Sequence, residues 1–112
     1  MVWLKVVTRV KPTAFETIEE KGFIDLSKVE EVQTRTHPYE KGLSLIKLID
    51  KKGNLIGTLT VPKEETYKIT YQILELISMS KHGKGSSRMI ELQDGKLMEY
   101  DPEKDTLVPL KE

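Results

Sequence analysis

The chain has 112 residues, of which 38% are hydrophobic and 32% charged, with 18 basic residues balancing 18 acidic ones and no cysteine. That length suits one domain around one core. The composition is too apolar for a disordered chain, and no run approaches the roughly 18 apolar residues of a membrane-spanning helix. Zero cysteines exclude disulfides, thiolate metal sites and cysteine nucleophiles together, and the balanced charge excludes a global field that would draw the chain onto nucleic acid.

Residues 1 to 12 hold a short apolar run interrupted by Lys5 and Arg9 and no small-residue cleavage site, so they do not read as a signal peptide, and a cytoplasmic location is expected. Charge is uneven along the chain: residues 31 to 88 carry ten basic and six acidic side chains, residues 89 to 112 three and seven. Fifteen Lys and thirteen Glu beside one Asn and three Gln follow a usage associated with thermophilic proteins.

In residues 2 to 10, Val2, Leu4, Val6, Thr8 and Val10 alternate with Trp3, Lys5, Val7 and Arg9, which predicts a strand with one wetter face. Residues 11 to 22 open on Lys11-Pro12, place Phe15 and Ile18 three apart and end in glycine, the pattern of a short helix or an irregular loop. FIDL (23 to 26) and VEEVQTRT (29 to 36) lean towards β-structure, as two short strands or one bent strand, and HPYEKG (37 to 42) reads as a loop. LSLIKLID (43 to 50) and LIGTLTV (55 to 61) flank Lys51, Lys52, Gly53 and Asn54 and predict a hairpin. Its first strand is apolar almost throughout, as a central strand covered on both faces would be.

Pro62 followed by Glu64 and Glu65 marks a helix start. Ile69, Ile73, Leu76 and Ile77 recur at helical spacing, with Tyr67, Tyr71 and Leu74 as a neighbouring stripe, so the apolar arc of a helix near residues 63 to 79 is broad. Beyond it, RMIELQ (88 to 93) and KLMEY (96 to 100) surround Asp94-Gly95, a pair suited to a two-residue hairpin turn, with Leu92 opposite Leu97 and Glu91 opposite Met98. TLVPL (106 to 110) predicts a short edge strand, since Pro109 cannot serve a central one. The fold class is therefore α+β: a mainly antiparallel sheet of about 5–7 short strands packed on one long amphipathic helix, with a C-terminal β-hairpin. One domain spans residues 1 to 112, divided into a sheet-plus-helix core (1 to 79), a connector (80 to 87) and a C-terminal hairpin or arm (88 to 112).

The stretch SKHGKGSSR over residues 80 to 88, the connector and the first residue after it, concentrates Lys81, Lys84 and Arg88 with two glycines and no acid. Gly83 suits a left-handed helix cap and the cations suit the negative end of the helix. The remainder has the composition of an anion-binding nest, but not the phosphate-loop spacing, and it follows a helix rather than opening one. His37 and His82 lie 45 residues apart and neither stands in an H-E-x-x-H arrangement, so no metal and no cofactor is expected, and the absence of a nucleophile motif predicts a protein that is not an enzyme.

Two binding surfaces are expected instead. Tyr67, Tyr71 and Leu74 are the candidate oligomer interface, with a homodimer as the expected state and another protein as the expected partner. Lys81, Lys84, Arg88, Trp3, Lys5 and Arg9 are the candidate anion or nucleic-acid contacts, with Arg35, Tyr39, Lys47, Lys51 and Lys52 as further material for single-strand binding. No membrane partner is expected. The order of several strands and one helix, over residues 23 to 79, resembles small single-strand-binding transcription cofactors and small bacterial motility regulators; the likeness is one of pattern, and no site residue is carried over from it.

Overall fold

The structure, a computed structural model, describes residues 1–83 and 85–110. Eight strands form one sheet: β1 (Val2–Pro12), β2 (Thr17–Asp25), β3 (Val29–Thr36), β4 (Leu43–Asp50), β5 (Leu55–Pro62), β6 (Arg88–Gln93), β7 (Lys96–Asp101) and β8 (Thr106–Pro109). A single-turn 3₁₀ segment, Lys63–Glu65, leads into the helix α1 (Thr66–His82). The order across the sheet is β3-β4-β5-β1-β6-β7-β8, with β2 paired to β1. β2 occupies one edge of β1 from Trp3 to Pro12, so β6 and β5 must share the other. β6 pairs there in parallel along Val2, Trp3 and Leu4, and β5 meets β1 at Val7 opposite Thr58.

One face of the sheet carries the core. Val2, Leu4 and Val6 of β1, Ile46 and Leu48 of β4, Leu59 and Val61 of β5 and Ile90 of β6 are buried with Ile69, Ile73, Leu76 and Ile77 of α1. Burying those four helix side chains is worth on the order of 6–12 kcal/mol before conformational entropy is subtracted, and this is why a helix with three exposed apolar residues per two turns still holds its place. Ser80 ties the helix end to the sheet: its hydroxyl accepts from the Val2 N–H at 3.1 Å and lies 3.4 Å from Asp25.

Four details differ from the sequence-based expectations. Residues 11 to 22 form neither a helix nor an irregular loop; they are the end of β1, a turn stitched by the Thr13 hydroxyl, and most of β2. This segment is exposed on both faces, so the strand is held by backbone pairing and carries no apolar alternation to read. β4 is covered on one face only, with Ser44, Ile46 and Leu48 buried and Leu43, Leu45, Lys47 and Ile49 half-buried by their cross-strand neighbours on the other.

Gly83, expected as a left-handed cap, is extended (φ −81°, ψ 148°); its N–H still closes on the Met79 carbonyl at 2.7 Å. The C-terminal hairpin is not an appendage, because the pairing of β6 with β1 makes it part of the sheet and Ile90 and Leu97 part of the core. The Asp94-Gly95 turn has both residues at positive φ, 51° and 75°, and sets Leu92 opposite Leu97 and Glu91 opposite Met98 as expected.

Candidate functional site

Because α1 turns Ile69, Ile73 and Leu76 into the core, the residues one step around the helix point away from it. Tyr67, Tyr71 and Leu74, at i, i+4 and i+7, are 92%, 65% and 50% exposed. They form an apolar stripe along the outer face, as the sequence suggested. Beside it runs a groove of 670 Å³ between α1 and the C-terminal strands, walled by Tyr71, Leu76, Met79, Arg88 and Leu110. Met79 and Leu110 were not singled out in the sequence, since neither lies on the stripe's spacing and only the return of β6–β8 beneath the helix brings them alongside it.

Arg88 forms one wall of this groove rather than part of an anion cradle. Its Nε and Nη2 donate to the two carboxylate oxygens of Glu99 at 2.8 and 2.6 Å, a bidentate pair in which both side chains are mostly buried. The Glu99 hydrogen bond holds the guanidinium pKa above its ordinary value, against the opposing effect of burial. Nη1 reaches the Met79 sulfur at 3.8 Å. Lys81 turns to Glu30 at 3.2 Å, and Lys84 lies outside the described residues. The loop cations that the structure describes are thus committed to carboxylates. On the stripe itself, a hydrogen bond to Glu75 holds the Tyr71 hydroxyl above the ordinary tyrosine range.

The remaining predicted contacts separate. Trp3 and Lys5 sit on the sheet face away from α1, where cross-strand pairing adds Phe23 opposite Lys5 and Lys21 opposite Val7. Arg9 does not join them. A β-bulge between Val7 and Arg9 puts Arg9 opposite Glu20, out of step with the Trp3, Lys5, Val7 alternation. Arg35 and Lys47 belong to the same helix-free face through β4 and β5, whereas Tyr39 projects from the loop after β3.

His37, Asp50 and Asp25 each hold local backbone. The His37 Nδ1 accepts from the N–H groups of Tyr39 and Glu40, both at 3.1 Å, and shapes the loop. Asp50 caps the β4–β5 turn by accepting from the N–H groups of Lys52 (2.9 Å) and Asn54 (2.8 Å). Asp25 accepts from the N–H and hydroxyl of Ser27 at 2.9 and 2.8 Å. Among the described residues no group of three or more His, Asp or Glu side chains converges as a metal site would, and no helix is long and apolar enough to cross a membrane. Compared with known proteins, the chain matches no family model, no curated protein and no solved structure.

Proposed function

We propose that the chain is a small non-enzymatic interaction module that self-associates through the outer face of α1. The observation that carries this reading is the exposed stripe of Tyr67, Tyr71 and Leu74, with the groove of Leu76, Met79 and Leu110 beside it, whose lining also includes Lys68, Gln72 and Glu75. Exposed aromatic residues on a rigid helix are the usual anchors of protein interfaces, because they bury a large area at low entropic cost.

The stripe is self-complementary in an antiparallel pairing of two α1 helices. With the two-fold axis between Gln72 and Ile73, Tyr71 lies opposite Leu74 of the second copy, Tyr67 opposite Ser78, and Glu64, in the 3₁₀ turn before α1, opposite Lys81, whose ammonium it would share with Glu30. Large meets small, and unlike charges meet at both ends, where opposed helix dipoles also attract. Covering Tyr67, Tyr71, Leu74 and Met79 on both copies removes roughly 1,000 Å² from water, at the lower end of specific interfaces, so a weak, micromolar dimer is expected.

Molar mass measured in solution from micromolar to millimolar concentration tests this. The wild type passes from monomer to dimer, Tyr71→Glu stays monomeric with an unchanged melting temperature, and Glu64→Lys weakens a dimer that Glu64→Lys with Lys81→Glu restores. A wild type that is monomeric at every concentration overturns the proposal.

A further inference from the structure

We infer that the helix-free face of the sheet, with Lys5 flanked by Trp3 and Phe23 at its centre, binds single-stranded nucleic acid. Side chains that pair directly across strands share a face. Lys5 pairs with Phe23, Trp3 with Met89, and Val7 with both Lys21 and Thr58; Thr58 in turn pairs with Lys47, and Arg35 with Leu45. These registers bring the two aromatic rings to one side of three neighbouring strands and flank them with Lys21, Lys47 and Arg35. The α1 helix covers the opposite side, so the surface stays open, with Phe23 37% exposed.

The chemistry of the face selects the ligand. Apolar rings set among cations suit a molecule that offers flat π-surfaces on an anionic backbone, as a single strand does; a duplex hides its base faces in its own stack. Lys5, Lys21, Lys47, Arg35 and Lys96 stand on this side against Glu19, Asp25, Glu31 and Glu91, five cations to four acids within a chain of zero net charge. Glu91 approaches Lys5 at 4.0 Å, whereas Lys21, Arg35 and Lys47 form no ion pair among the described residues. Three such free cations imply contact with about three phosphates, hence a slope of log affinity against log salt of about −2 for a single strand. This face is separate from the α1 stripe, so the inference does not depend on self-association.

Trp3 is the only tryptophan, and its emission reports stacking directly. The test titrates the full chain with 12-nucleotide oligo(dT), 12-nucleotide oligo(U) and a 12-base-pair DNA duplex at low salt. Saturable quenching by at least one single strand is expected, at least tenfold tighter than by the duplex; preference between the two single strands reports whether the 2′-hydroxyl is read. Phe23→Ala should weaken binding at least fivefold, and Lys21→Glu with Lys47→Glu should weaken it further and flatten the salt slope. Tyr71→Glu should bind as the wild type does. No quenching by either single strand, equal affinity for the duplex, or an unaltered affinity in folded Phe23→Ala overturns the inference.

Discussion

β1 passes through two environments within one strand. From Val2 to Val7 it lies over α1, and Val2, Leu4 and Val6 are buried; from Thr8 onward it continues with β2 as an exposed two-stranded ribbon ending at Phe15, which is 98% exposed. The residue types barely change across the boundary, since Val10 follows Val6 as naturally as Val6 follows Leu4. What changes is the layer underneath, and the bulge at Thr8 shifts the alternation where that layer stops. Burial makes the first half informative and stable, while the second half rests on backbone pairing and surface contacts such as Lys11 with Glu20 at 2.8 Å, worth well under about 1 kcal/mol when exposed.

The sharpest way to break this comparison is to cut the same chemistry from each region. Ile73→Ala, in the fully buried seam of α1, should cost about 2–5 kcal/mol in urea unfolding, whereas Ile18→Ala, on the ribbon, should stay within about 0.5 kcal/mol. Similar losses at both positions would show that the ribbon is packed in solution.

Close approach gives the next largest effects. A side chain at Gly57 would collide with Val6 and press on Ile24, where the β1–β2 pair closes over β5, so Gly57→Val should cost about 1–3 kcal/mol through overpacking. At Gly83 a side chain would meet the Met79 carbonyl oxygen, and Gly83→Val should cost about 1 kcal/mol, measured by thermal unfolding. The left-handed cap read from the sequence predicts the same sign at Gly83, but the cause is the packing of an extended residue against the last helical turn.

The elements legible in the sequence are those whose periodicity is imposed by burial. The β4–β5 hairpin, the α1 helix and the Asp94-Gly95 turn belong here, the last because positive φ at two successive residues restricts residue type. β2 was illegible because Glu19, Glu20 and Lys21 owe their conformation to hydrogen bonds with a partner strand. Of the candidate site, the stripe of Tyr67, Tyr71 and Leu74 followed from helical spacing alone. The groove beside it and the placing of Trp3 and Phe23 on one face of the sheet depend on β6 and β2 both returning to β1, a pairing of segments distant in sequence. Arg88 misled for a related reason: its carboxylate partner, Glu99, lies across the second hairpin.

A smaller effect separates the rigid end of β2 from its ribbon end. Burial pushes the Asp25 carboxyl up, but the Ser27 hydroxyl and N–H, the Ser80 hydroxyl and Lys28 together outweigh it and hold the pKa below the ordinary aspartate value. A depressed folded-state pKa means that the unfolded chain binds the proton more readily. This contribution is therefore complete above about pH 4 and is lost as pH falls through the folded-state value. Asp25→Asn should lower stability at neutral pH, with the difference from wild type shrinking below pH 4. A difference that does not change with pH would assign the effect to geometry alone.

The smallest expected effect lies at the ribbon tip. Phe15 touches nothing that a core would provide, and the turn it sits in is held by Thr13, whose hydroxyl accepts from the Glu16 N–H at 3.0 Å and whose N–H donates to the Glu16 carbonyl at 2.7 Å. Phe15→Ala should therefore leave the melting temperature unchanged, because the lost ring is solvated in both the folded and unfolded states. A two-stranded ribbon is marginal without a layer to lie on, so its amides should exchange with solvent by local opening well before those of Ile46 and Leu48, which wait for global unfolding. Hydrogen exchange resolved by residue measures both halves of β1 in one experiment. Protection at Val10 equal to that at Leu4 would mean that the ribbon unfolds only with the core, and the division of β1 into two environments would not hold.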